Sequence, residues 1–217
     1  MERINPADNI IKIRTKEQEK SALEKAGQVL SSGGIVAYPT ESYYGLAVDI
    51  ENREAINRLF LLKNREPAKP ILILIPDTGL LNEYAAEIPD LAVKLMDEFW
   101  PGGLTMLFKA GRKISPLLTA GSGKIGIRHS GHPLASALAG VTGRPVTGTS
   151  SNISGSPPCT RASEVSACFG NDVDLIIDSG DTRGGKGSTI LDITTAPPVI
   201  LREGIVSEKD ILKITGL

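Results

Sequence analysis

Residues 71–75 read ILILI, five apolar side chains with no polar one among them. Side chains alternate between the two faces of a strand, so a strand with one wet face would show a polar residue at every second place. This run shows none. It predicts a strand at the centre of a sheet, and the rest of the fold has to be read outward from it.

Residues 15–30 are expected to be helical. Thr15 and Gln18 fit a capping box, Leu23, Ala26 and Leu30 share a face, and Gly33 and Gly34 stop the helix. Residues 35–38 and 44–50 read as strands, and residues 53–63 as a helix with Ile56, Leu59 and Phe60 inward. Further helices are expected at 90–99, at 132–140 with Pro133 in the first turn, at 163–169 and from Ser207 onward. Strands are expected at 104–110, 124–129, 145–150, 173–178, 188–193 and 199–201. Some strands follow one another without a helix, so the sheet should be mixed. No repeat, low-complexity block or linker interrupts the pattern, and residues 1–217 read as a single α/β domain.

Composition narrows the function classes. The net charge is −1, so no global basic field points to nucleic acid, although a local groove stays open. Four Phe, four Tyr and one Trp leave the core to aliphatic residues. Cys159 and Cys168 lack metal-site spacing and read as two reduced thiols. The polar start has no signal-peptide core and no apolar run reaches membrane-spanning length, so a cytoplasmic protein with no membrane partner is expected.

Two motifs that look chemical are set aside. GDTRGGKG, residues 180–187, nearly matches a phosphate-binding P-loop, but Gly187 replaces the Mg²⁺-holding hydroxyl and a strand follows where a helix is needed. It reads as a flexible glycine-rich loop. His129 and His132 straddle a strand end and a helix start with no third ligand nearby, so no metal site is expected. Cation and hydroxyl clusters remain: Lys63, Arg65 and Lys69 before the apolar strand, TGTSSNISG at 147–155, and Arg128 and Arg202 each ending an apolar strand. An arginine there can present a planar fork to two oxygens of a carboxylate or phosphate. Together the clusters favour an anionic ligand such as a nucleotide.

In order along residues 18–211, these segments resemble the threonylcarbamoyl-AMP synthases of the YrdC-like fold. YPTESYYGLAVD resembles P-T-[DE]-T-x-Y-G-L, KNR resembles K-x-R, and FWPGGLT resembles W-P-G-P-L-T. IGIRHSGHPLA resembles V-x-V-R-x-P-x-H-P, and TSSNISG resembles T-S-A-N-x-S-G. GSTILDI and ILREG complete the set as S-T-V-V-D and L-R-x-G. The resemblance implies a twisted mixed sheet flanked by helices around a concave ligand cavity.

It also implies a nucleotidyltransferase reaction. Threonine's amine combines with bicarbonate or CO₂, and the resulting carbamate attacks the α-phosphate of ATP to give threonylcarbamoyl-adenylate and pyrophosphate. By resemblance Lys63, Arg65, Ser150, Asn152 and Arg202 contact ATP, with Lys63 and Arg65 catalytic. Thr40, Tyr44, Arg128 and Ser188 hold threonine, Arg128 on its carboxylate. Mg²⁺ would arrive with ATP, held by phosphates and water rather than by a protein metal site. Transfer-complex proteins would pass the group to tRNA, and direct tRNA contact is left open. The alternative implied by the fold is a non-catalytic paralogue that binds tRNA or rRNA. The departures concern loops. Gly103 stands for a proline and is expected to loosen its turn, and Ser130 and Gly131 stand where a proline is usual. Glu41 has three open roles: capping its loop, pairing with Lys63 or Arg65, or facing solvent.

Overall fold

The apolar run lies where its composition demands. In the computed structural model, which describes residues 9–216, Leu72–Leu74 forms a strand that is sixth of ten in one sheet. Ile71, Ile73 and Ile75 join the core on one face, while Leu74 joins the core on the other with Leu72 packed against it. Neither face meets water, which is why no polar residue interrupts the run.

In chain order the elements are β1 (Ile10–Lys12), α1 (Lys16–Ser31), β2 (Val36–Pro39), β3 (Tyr44–Ala47), α2 (Arg53–Leu62), β4 (Leu72–Leu74), α3 (Leu81–Tyr84), α4 (Asp90–Phe99) and β5 (Leu104–Lys109). There follow α5 (Pro116–Thr119), β6 (Lys124–Arg128), α6 (Pro133–Gly140), β7 (Val146–Ser150), α7 (Ala162–Phe169), β8 (Leu175–Asp178), β9 (Thr189–Asp192), β10 (Val199–Arg202) and α8 (Glu208–Thr215). The strand order is β1-β8-β2-β3-β7-β4-β6-β5-β9-β10. The sheet combines parallel pairs, such as β4 with β6, and antiparallel ones, such as β2 with β3. The mixed sheet is as expected.

Alternation assigns the faces. Val36 and Tyr38 on β2 point to a core shared with Ala22, Ala26 and Leu30 of α1 and Leu134 and Leu138 of α6. Ala37 between them points to the opposite core, which α2 and α4 cover with Ile56, Leu59 and Leu95. Helix α1 starts at the expected capping box, with Thr15 Oγ1 accepting from Gln18 N and Gln18 Oε1 accepting from Thr15 N. Strand β1 was not anticipated. It is three residues long and shows no alternation; only its parallel partner β8, far along the chain, makes it a strand. The polar start read from the sequence lies, as far as residue 8, outside the described residues.

One strand turns the sheet into a cleft. Strand β7 pairs with β3 through Thr149 and Ser150, and with β4 through Val146, Thr147 and Gly148. Following the registers, the end of β2 and the end of β6 would lie four strand spacings, or about 19 Å, apart sideways in a flat sheet. Yet Glu41, just past β2, touches Arg128 at the end of β6 at 2.7 Å. The sheet therefore coils about β7, and the ends of β2 and β6 come together across a concavity.

Candidate functional site

One group of candidate residues, the first wall, belongs to the β2-β3-β7 half. Lys63 caps the C-terminus of α2 and is almost fully buried, at 2% exposure. Its ammonium donates to Ser150 O, to Asn152 O at 2.8 Å and to Asn152 Oδ1 at 3.3 Å. Ser150 Oγ donates to the same Oδ1 at 2.6 Å. The expected Lys63, Ser150 and Asn152 group thus forms one network, and all three acceptors of the ammonium are neutral. Burial first, and the Arg65 charge second, push the Lys63 pKa down to about 8.

Arg65 follows through Asn64, whose left-handed backbone (φ 46°) turns the chain. Its Nε donates to Lys69 O at 3.0 Å and its Nη2 to Pro70 O at 2.7 Å, so two of its nitrogens shape the loop before β4. Tyr44 lies fully buried, and its hydroxyl donates to Gly180 O at 2.9 Å. Gly45 is required beside it, because a Cβ would come within 2.8 Å of the Tyr38 ring. Thr40 is committed to its own turn, donating to Tyr43 O at 2.6 Å.

The second wall belongs to the β6-β5-β9-β10 half. Arg128 is 7% exposed; its Nε donates to Gly102 O at 2.8 Å and its Nη2 sits 2.7 Å from Glu41 Oε2. That last contact is ionic rather than an aligned hydrogen bond: both atoms are buried and neither has a hydrogen-bond partner. Ser188 precedes β9. Its carbonyl accepts from Arg202 Nε at 3.1 Å and Nη2 at 2.8 Å, and its hydroxyl accepts from Thr105 Oγ1 at 2.8 Å and from Arg202 Nη2 at 3.3 Å. Burial, and then the charge of Arg128, lower the pKa of Arg202, which places the two guanidiniums within electrostatic reach. Gly204 admits nothing larger, since a Cβ would lie 2.6 Å from Ser188 O.

Three expectations need correcting. The glycine-rich loop is not loose: Tyr43 Oη donates to Gly185 O, Gly184 N donates to Ser42 O at 2.7 Å, and Thr182 N to Thr160 O at 2.9 Å. Gly103 does not loosen its turn, because Ile205 packs so closely that a Cβ would sit 3.0 Å from its own. Glu41 neither pairs with Lys63 or Arg65 nor simply faces solvent. Besides Arg128, its Oε1 accepts from Ser130 Oγ at 2.9 Å, Gly131 N at 2.6 Å and His132 N at 3.1 Å. The missing proline explains this cradle, since a serine hydroxyl donates where a proline cannot. That substitution was the one sequence signal pointing to it. Thr105, the donor to Ser188, carried no signal at all.

Among the described residues no group of three His, Cys, Asp or Glu is placed to hold a metal ion, and burial lowers the pKa of both His129 and His132. A cleft of about 370 Å³ opens beside Thr40 and Glu41, between Gly131 and Arg183. Another of about 190 Å³, between Glu87 and Thr195, touches none of the candidate residues.

Fold and site define a mixed-sheet α/β protein with a buried lysine network on one half of the sheet and a buried arginine–glutamate pair reaching the other. The family model described as Telomere recombination, for Sua5, YciO and YrdC proteins, matches residues 28–204, and the chain belongs to that family. A Pyrococcus abyssi protein named Threonylcarbamoyl-AMP synthase is 36% identical over 207 residues, covering 95% of this chain and 61% of its own. One of the same name from Photobacterium profundum is 34% identical, covering 77% and 91%. The structure of P. abyssi Sua5 complexed with L-threonine superposes with a TM-score of 0.91 at 35% identity, over 95% of this chain and 61% of that one. The chain spans about six-tenths of the length of the curated relatives it matches first. Among the described residues no helix is long and apolar enough to cross a membrane.

Proposed function

We propose that the protein is an L-threonylcarbamoyladenylate synthase, a nucleotidyltransferase that makes threonylcarbamoyl-AMP and pyrophosphate from L-threonine, bicarbonate or CO₂, and ATP. The observation that carries the reading is a pair of unlike buried cation sites, one on each half of the sheet. Lys63, held only by neutral acceptors, keeps its full charge for a polyphosphate. Arg128, already paired with Glu41, offers the weaker field suited to an amino acid's carboxylate. Family membership and the names of relatives support it.

In this reading Lys63, Arg65, Ser150, Asn152 and Arg202 bind ATP, and Thr40, Tyr44, Arg128 and Ser188 bind threonine. The carbamate oxygen attacks the α-phosphorus, the bond to the β-phosphate oxygen breaks, and pyrophosphate leaves. The carbamate is already anionic, so no general base is needed, and positioning with fixed cations supplies the rate. Lys63 stays protonated below about pH 8 and can stabilise the charge that gathers on the α-phosphate. Mg²⁺ would enter with the nucleotide substrate, held by phosphates and water, and would neutralise phosphate charge. The product would pass to threonylcarbamoyl-transfer proteins and then to tRNA in the cytoplasm. Incubation with ATP, L-threonine and labelled bicarbonate should release threonine-dependent pyrophosphate and a labelled adenylate. Pyrophosphate release indifferent to threonine refutes the reading.

A further inference from the structure

Glu41 reaches from the turn after β2 to Arg128 at the end of β6, between the two halves of the sheet. The turn that carries it is stiff: Thr40 Oγ1 donates to Tyr43 O at 2.6 Å, and Ser42 N and Tyr43 N point back at the same hydroxyl at 3.3 Å. From there the carboxylate reaches the loop between β6 and α6. One oxygen takes three donors, from Ser130, Gly131 and His132, and is fixed by them. The other is thereby aimed at Arg128 Nη2. Burial disfavours this carboxylate, but Arg128 and the cradle outweigh it and hold its pKa below the ordinary value, so it is ionised at neutral pH.

The consequence falls on Arg128. Gly102 O takes its Nε and Glu41 takes its Nη2. Nη1 alone has no hydrogen-bond or ion-pair partner among the described residues. The fork expected to grip two oxygens therefore has one nitrogen to offer, and its direction is set by Glu41. We propose that Glu41 is a positioning residue for amino-acid binding, which crosses the cleft to orient Arg128 so that Nη1 alone meets the substrate's carboxylate. The proposal rests on the synthase reading for the identity of that amino acid. It assigns Glu41 no contact with substrate.

The test compares wild type, Glu41→Gln and Glu41→Asp. Glutamine keeps an oxygen for the three-donor cradle but loses the charge that orients Arg128. Aspartate keeps the charge on a shorter arm. Each is assayed for threonine-dependent pyrophosphate release, and separately for L-threonine binding by calorimetry without ATP. For Glu41→Gln the expected result is a threonine KM and Kd raised about tenfold, with kcat at saturating threonine, ATP KM and melting temperature nearly unchanged. Glu41→Asp should recover part of the loss. A threonine KM and Kd in Glu41→Gln equal to wild type overturns the proposal, and so does a loss of kcat and melting temperature together, which marks a merely structural role. If wild type releases no pyrophosphate but binds L-threonine, and Glu41→Gln binds it more weakly, the synthase reading fails while the positioning role stands. A wild type that neither reacts nor binds overturns both.

Discussion

The two walls of the cleft solve the same problem, a buried cation, in opposite ways. Lys63 is compensated by three neutral oxygens from the end of β7 and the loop after it. Arg128 is compensated by a carboxylate brought across from the other half of the sheet. Neutral acceptors satisfy the ammonium's donors without cancelling its charge, so the net field at the Lys63 wall stays positive. The ion pair at Arg128 cancels most of its field. The first arrangement favours a polyanion and the second a ligand that carries little net charge. That difference suits the proposed pairing of a nucleotide with an amino acid.

The harshest way to break the comparison is Lys63→Met. Methionine fills the buried space without a charge. Loss of a fixed cation where negative charge develops should lower kcat by about 10²–10³-fold, with melting temperature and L-threonine affinity close to wild type. Single-turnover measurement of pyrophosphate release, paired with a melting curve, checks this. A variant that keeps its turnover would show that the neutral-acceptor wall does not face the phosphate.

How far the sequence foretold this contrast can be argued residue by residue. The apolar run at 71–75 placed itself, because burial on both faces leaves a signature in consecutive residues. Helix α1 was legible down to its capping box for the same reason: its signal is local. The K-x-R and S-x-N residues were legible as a set only through family resemblance, but the structure does bring Lys63, Ser150 and Asn152 onto one network. Glu41 was not legible. Its donors lie about ninety residues away in sequence, on a loop reached only because the sheet coils about β7. Strand β1 failed for a related reason, being defined by β8 rather than by its own three residues. Contacts that depend on sheet curvature leave no periodic trace.

A softer break is Arg128→Lys. Lysine keeps the charge beside Glu41 but cannot also hold Gly102 O and present a further nitrogen in a fixed direction. The threonine KM should rise by about tenfold to a hundredfold with the ATP KM unchanged, read from initial rates against each substrate. An equal rise in both would mean that the second wall is not private to the amino acid.

Acidity sharpens the same contrast. Lys63 has its pKa lowered to about 8, so its charged form dominates below that value and is lost as pH rises through it. ATP affinity should hold between pH 6 and 7.5 and then weaken, by up to about tenfold per unit, above pH 8. Glu41 is held below the ordinary carboxylate range, so it stays ionised across the whole interval and L-threonine affinity should not follow the ATP curve. Calorimetry of each ligand at several pH values separates the walls, and Lys63→Met should flatten the ATP curve. Parallel curves for the two ligands would contradict the assignment.

The smallest expected effect concerns Thr105, buried behind the second wall at 1% exposure. A serine hydroxyl has one donor and two acceptor positions. At Ser188 both acceptor positions are filled, by Thr105 Oγ1 at 2.8 Å and by Arg202 Nη2 at 3.3 Å. These two contacts fix the orientation of the Ser188 hydroxyl. Thr105→Val keeps the shape and removes the hydroxyl, so Ser188 can rotate and lose its fixed polarity. One neutral hydrogen bond is worth about 1 kcal/mol, so the threonine KM should rise roughly fivefold, with ATP KM unchanged. Thr105→Ser, which restores a hydroxyl in a smaller side chain, should return most of the affinity. If valine and serine behave alike, the loss comes from packing, and Ser188 takes its orientation from Arg202 alone.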